Sequence, residues 1–115
     1  MNRGDVVRVD LPAPKGTAGR EQIGERPAVV VQIGNATANL STVILVPFTS
    51  SKNSLRLFGS VNVSATPSNG LAVDSVALVH QLRAIDKHRI RRVDGRVSDT
   101  DLMNIESKVR EILGL

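Results

Sequence analysis

Apolar and polar positions alternate in short runs along most of the chain, with turn-forming residues between the runs. Val7, Val9 and Leu11 alternate with Arg8 and Asp10, which predicts a half-buried first strand ended by Pro12 and Pro14. A Gly- and charge-rich loop, 15–25, follows it. Pro27 then opens the unbroken apolar run Ala28-Val29-Val30-Val31, the pattern of a central strand, with proline tolerated only at its start. Thr42 to Phe48 predicts a third strand, bulged or ended at Pro47. Ser60 to Ala65 predicts a fourth, with Val61, Val63 and Ala65 on one face. In Thr66-Pro67-Ser68-Asn69-Gly70 proline presets φ and Asn-Gly accepts positive φ, so a turn is expected. Ser75 to Leu82 predicts a fifth strand, and Asp94-Gly95 a two-residue hairpin turn between Arg91-Arg92-Val93 and Arg96-Val97.

The C-terminal segment changes period. Leu102, Ile105, Val109, Ile112 and Leu113 fall on one face of a helix, and Ser98 with Asp101 three residues on forms its capped start. Asp99 and Asp101 sit at the positive end of the helix dipole, Lys108 and Arg110 near the negative end, and Gly114 is the stop. The pattern as a whole predicts a mainly β fold with a C-terminal helix, a small barrel or sandwich. A single domain, 1–115, is expected, since no linker or repeat divides the chain.

Composition narrows what such a fold can do. With 41% apolar and 23% charged residues the chain is not a disordered segment. No apolar run approaches the roughly 18 residues of a membrane span, and the N-terminus lacks a signal-peptide core, so a cytoplasmic protein is expected. Zero Cys excludes disulfides and thiolate chemistry, and two His without Cys argue against a structural zinc. Asp99 and Asp101 stand two apart on a helix, do not face each other, and read as capping acids rather than a metal pair. No Gly-rich loop matches a nucleotide-binding pattern, so neither metal nor cofactor is expected. Phe48 and Phe58 are the only aromatics, which disfavours a single-strand binder built on stacked bases. The net charge of +4 is concentrated in 81–97, where Arg83, Lys87, Arg89, Arg91, Arg92 and Arg96 face only Asp86 and Asp94. Such a field attracts phosphates or an acidic protein partner.

The polar residues at strand ends are Glu21, Arg26, Thr49, Ser50, His80, Gln81 and Arg83. Strand ends project into loops, where a rigid scaffold places functional groups. Arg26 immediately precedes an apolar strand and offers a planar, permanently charged fork matched to phosphate. Thr49 and Ser50 immediately follow another strand, and their hydroxyls can bond the same phosphate. The competing reading is a polar turn beside a surface cation.

Taken in order, four segments resemble the MazF/PemK family of toxin endoribonucleases. They are Arg3-Gly4-Asp5-Val6-Val7, Glu21-Gln22-Ile23-Gly24-Glu25-Arg26-Pro27-Ala28-Val29-Val30, Val46-Pro47-Phe48-Thr49-Ser50, and Gln81-Leu82-Arg83-Ala84-Ile85-Asp86-Lys87-His88-Arg89. The end, Gly95 through Gly114, also fits. The resemblance implies a small Src-homology-3-like β-barrel of the MazF/PemK/CcdB type, assembled as a homodimer. It implies metal-independent, sequence-selective cleavage of single-stranded RNA to 2′,3′-cyclic phosphate and 5′-hydroxyl ends. It further implies a MazE-like antitoxin partner with an acidic C-terminal segment, with which such toxins also bind DNA. Arg26 and Thr49 match the catalytic arginine and threonine, Glu21 an acidic loop position, and Gln81 a glutamine near the RNA groove. Ser50 and Arg83 join the RNA contacts, with Lys15, Arg20 and Lys52 steering RNA from the flanking loops. The position of His80 often carries an acid in the family; a histidine there serves either as a base near neutral pH or as a packed strand residue. The missing Trp and Tyr imply base recognition by hydrogen bonds. A non-enzymatic CcdB-like toxin acting on a protein such as DNA gyrase is the alternative, and a pure interaction module the third reading.

Overall fold

The computed structural model describes residues 1–12 and 23–115. Seven strands are seen: β1 (Asp5–Leu11), β2 (Gly24–Val30), β3 (Thr42–Thr49), β4 (Val61–Val63), β5 (Ser75–Ala77), β6 (Arg83–Asp86) and β7 (Ile90–Arg96). A short helix α1 (Gly34–Asn39) joins β2 to β3, and α2 (Asp99–Leu113) closes the fold. The strands pair in the order β4-β5-β3-β2-β1-β7, all antiparallel, with β6 following β5 along the same edge of β3. Neither end strand, β4 or β7, pairs with the other.

Parts of the three central strands are buried on both faces, and there the sequence is a short unbroken apolar run: Val6-Val7 in β1, Ala28-Val29-Val30 in β2 and Leu45 to Phe48 in β3. Val6, Val29, Val46 and Phe48 point to one face, where Val61, Val63, Leu102 and Ile105 from β4 and α2 cover them. Val7, Val9, Leu11, Ala28, Val30, Val43 and Leu45 point to the other, joined by Ile85 of β6. That second core is made by strands alone, so the sheet curls around it. Alternation along each strand thus feeds two cores with the same valine-rich segments.

Helix α2 starts and stops where its sequence directs. The Ser98 hydroxyl accepts from the Asp101 N–H at 3.1 Å, and Gly114 adopts the left-handed C-cap at φ 72°. Leu102 and Ile105 are buried and Val109 and Ile112 half-buried, whereas Leu113 stays exposed.

Two expectations are corrected, and one element is new. The strand expected over 75–82 ends early: only β5, Ser75–Ala77, is strand, a 3₁₀ turn at Val79–Gln81 follows, and β6 begins at Arg83, beyond the expected strand. Helix α1 has no counterpart in the apolar pattern; it has one buried residue, Thr37, whose hydroxyl pairs with buried Gln32. Asp94-Gly95 is not a hairpin turn, because β7 runs straight through it. Val6 pairs with Gly95 and Val7 with Val93, which leaves Asp94 as the extra residue of a β-bulge. Gly95 is required by close approach: a Cβ there would collide with the Ser68 carbonyl and with Asn69 of the 66–70 turn. That turn forms as expected, held by buried Asn69, whose Oδ1 accepts from the N–H groups of Thr66 and Leu71 at 3.0 Å each.

Candidate active site

One rung missing from the sheet creates the groove. Ala28 pairs with Pro47, Val29 with Val46 and Val30 with Leu45, and the Val31 N–H donates to the Ile44 carbonyl at 3.1 Å. Odd-numbered residues of β2 therefore direct their backbone groups at β3, and the next donor in that series would be Pro27. Proline has no N–H. The ladder stops there, the strands part, and a groove of about 230 Å³ opens. Arg26, Pro27, Phe48, Thr49 and Ser50 line it, with Arg8, Arg92 and Asp94 on the β1/β7 side and 70–73 above. Continuing the register by two positions sets Arg26 level with Thr49 on the facing strand.

The groove side chains are held in different ways. Arg26 is half-buried and its Nε donates to the Ile23 carbonyl at 3.1 Å, while no carboxylate among the described residues pairs with its guanidinium. A guanidinium held by its Nε can take an anion on its terminal nitrogens. Thr49 is buried, and its Oγ1 accepts the Ser51 N–H at 3.2 Å. One of its two lone pairs is thus occupied, and the hydroxyl hydrogen stays available to a ligand oxygen. Arg8 and Arg92 are direct cross-strand partners, a like-charge pair that each arginine relieves with its own acid. Arg8 Nε meets Glu25 at 3.1 Å, and Arg92 Nε meets Asp94. Three cations and one lining carboxylate give the groove a positive field.

Of the residues expected from sequence, Arg26, Thr49 and Ser50 come together here. Lys52 lies on the 3₁₀ turn Lys52–Arg56 beyond the groove, its Nζ donating to Asn62 Oδ1 at 3.0 Å. His80, Gln81 and Arg83 sit on the β5–β6 connection, along the edge of β3 away from β2, and do not line the groove. His80 is exposed on its 3₁₀ turn, so it is not a packed strand residue. Lys15, Arg20 and Glu21 lie outside the described residues. Arg8 and Asp94 were not singled out: Arg8 reads as the polar half of an alternating strand and Asp94 as a turn acid. In the basic stretch, Asp86 accepts the His88 backbone N–H and ring Nδ1 at 2.8 Å each, and these bonds hold its carboxyl below the usual range. Among the described residues no cluster of three or more His, Asp or Glu is arranged to hold a metal ion.

A model of the PemK-like, MazF-like toxins of type II toxin–antitoxin systems matches residues 2–113. The chain belongs to this family. It is 35% identical over 120 residues to endoribonuclease MazF9 of Mycobacterium tuberculosis, covering 100% of this chain and 98% of that one. Endoribonuclease MazF of Staphylococcus saprophyticus is 31% identical over 115 residues, 100% of this chain and 92% of the relative. Among solved structures, MazF from Deinococcus radiodurans superposes with a TM-score of 0.82 at 22% identity, covering 100% of this chain and 97% of that one. A mycobacterial endoribonuclease in complex with its cognate antitoxin superposes with a TM-score of 0.77 at 21% identity, covering 100% and 96%. These structures share the MazF-type fold: a mainly β sheet with a C-terminal helix.

Proposed function

We propose that this MazF-family toxin cuts single-stranded RNA in the groove between β2 and β3, with Arg26 and Thr49 on the scissile phosphate. The observation that carries this is their placement: a guanidinium without a carboxylate partner among the described residues, level with a hydroxyl held by the Ser51 N–H and able to donate its hydrogen. The ribose 2′-oxygen attacks the adjacent phosphorus, the 5′-oxygen leaves, and the products are a 2′,3′-cyclic phosphate and a 5′-hydroxyl. Charge grows on the non-bridging oxygens along that path. Arg26 neutralises it, and Thr49 with Ser50 donates hydrogen bonds to it, the kind of stabilisation that is strongest when preorganised. Arg26 stays protonated, so it is an electrostatic clamp and a donor rather than a base. Glu21 is the carboxylate we assign to assist proton transfer; His80, the alternative read from the sequence, does not line the groove.

RNA in this reading extends from the groove toward Gln81, His80 and Arg83 on one side, with Lys15, Arg20 and Lys52 steering its backbone. No step calls on a metal ion. The same proposal includes a single domain over 1–115, the Src-homology-3-like barrel type, for which the all-strand core argues, and a cytoplasmic setting. It also includes neutralisation by a MazE-like antitoxin with an acidic tail, in keeping with the positive groove, and a homodimer. Exposed Ile44, Leu113 and Leu115 surround an apolar groove of about 330 Å³ between β3 and α2, the kind of surface a second copy covers.

The test is Arg26→Ala assayed on a long transcript in the presence of a chelator. Wild type is expected to cut and leave cyclic phosphate ends, and the variant to lose cleavage while melting at the wild-type temperature. A folded Arg26→Ala variant that cuts at the normal rate overturns the assignment.

A further inference from the structure

We propose that Asp94 selects the base next to the cut, accepting a hydrogen bond from an exocyclic amino group and disfavouring uracil. This rests on the groove being the RNA site. A carboxylate in a phosphate-binding groove repels the ligand backbone, so its presence there needs a reason. It is not an accident of a loose loop. Asp94 is the inserted residue of the β7 bulge, and bulges re-aim a side chain. The 66–70 turn clamps the bulge from outside: Arg96 N–H donates to Ser68 O at 2.9 Å, and a Cβ on Gly70 or Gly95 would collide with the opposing backbone.

The side chain is only 17% exposed, Arg92 Nε donates to its Oδ1, and the residue lines the groove. Its strand stands two places from β2, separated by β1, or roughly 10 Å at ordinary strand spacing. That is too far for proton transfer at a phosphate held by Arg26, and about right for the neighbouring nucleotide. An ionised carboxylate only accepts hydrogen bonds. Guanine, adenine and cytosine each present an amino group to it, whereas uracil presents one N–H flanked by two carbonyl oxygens that it repels. With no Trp or Tyr in the chain and Phe48 fully buried, hydrogen bonding is the means of reading available in this groove.

Cleavage sites mapped across a long transcript for wild type, Asp94→Asn and Asp94→Glu test this. Asparagine keeps the size but adds a donor, so it accepts uracil too. Wild type is expected to exclude uracil at one position beside the cut. Asp94→Asn is expected to relax that exclusion by roughly tenfold there alone, and Asp94→Glu to retain it. Equal site preferences in wild type and a folded Asp94→Asn variant overturn the proposal but leave RNA cleavage at Arg26 standing. A wild type that cuts no RNA overturns both. If Asp94 merely neutralises Arg92, the asparagine variant cuts every site faster with unchanged ranking, which also overturns it.

Discussion

The Thr49 oxygen makes one bond for the fold and keeps its hydrogen for a ligand. Thr49→Val removes both at nearly constant volume. The lost bond from Ser51 costs about 1 kcal/mol of stability, while losing one oxyanion donor lowers kcat by about 10²–10³. Thr49→Ser is expected to recover most of the rate, as denaturant melts and single-turnover cleavage of one oligonucleotide will show. At this scale the sequence was informative where residue type and position coincide. An arginine before Pro27 and a threonine after Phe48 stand at strand ends, and both line the groove. Arg8 and Asp94 were hidden because their role depends on which strands become neighbours, and neither periodicity nor composition encodes that.

Among the elements, the gap between β2 and β3 belongs to Pro27. Pro27→Ala supplies the missing N–H, level with the Phe48 carbonyl, and lets the ladder run one rung further. The added hydrogen bond contributes about 1 kcal/mol, offset by the similar entropy that proline removed from the unfolded chain. Stability is therefore expected to be unchanged while kcat/KM falls at least tenfold, a separation that calorimetry and cleavage assays on the same preparation will measure. Helix α2 was fully legible, because its cap, stripe and stop agree with one another. The 66–70 turn was legible for the same reason. The Asp94-Gly95 signal misled because glycine serves two ends, positive φ and close approach, and here the backbone at Ser68 and Asn69 demanded the second. The break between β5 and β6 was invisible for a related reason: the apolar run continues across it, as Val79 is buried within the 3₁₀ turn.

For the whole molecule, the apolar face of α2 outlasts the core it covers. Leu113 is 56% and Leu115 81% exposed, and Ile44 on β3 lies beside them. Leu113→Lys is expected to convert a dimer into monomers in sedimentation experiments without lowering the monomer's helix content. A variant that sediments as wild type places the dimer contact elsewhere. Pattern alone foretold a mainly β chain ending in a helix; it did not foretell two cores, because residues of opposite parity on the same strand look alike when both are valine. The missing N–H of Pro27 has a last consequence. β2 and β3 run into the cleft from buried valines, Val29 and Val30 on one strand and Val46 on the other. On the proposed reading, an unpaired strand is the guest a groove of about 230 Å³ suits, and a transcript folded into a duplex is expected to be cut poorly. On that reading, what escapes the toxin is decided by the shape of the message before any of its letters are read.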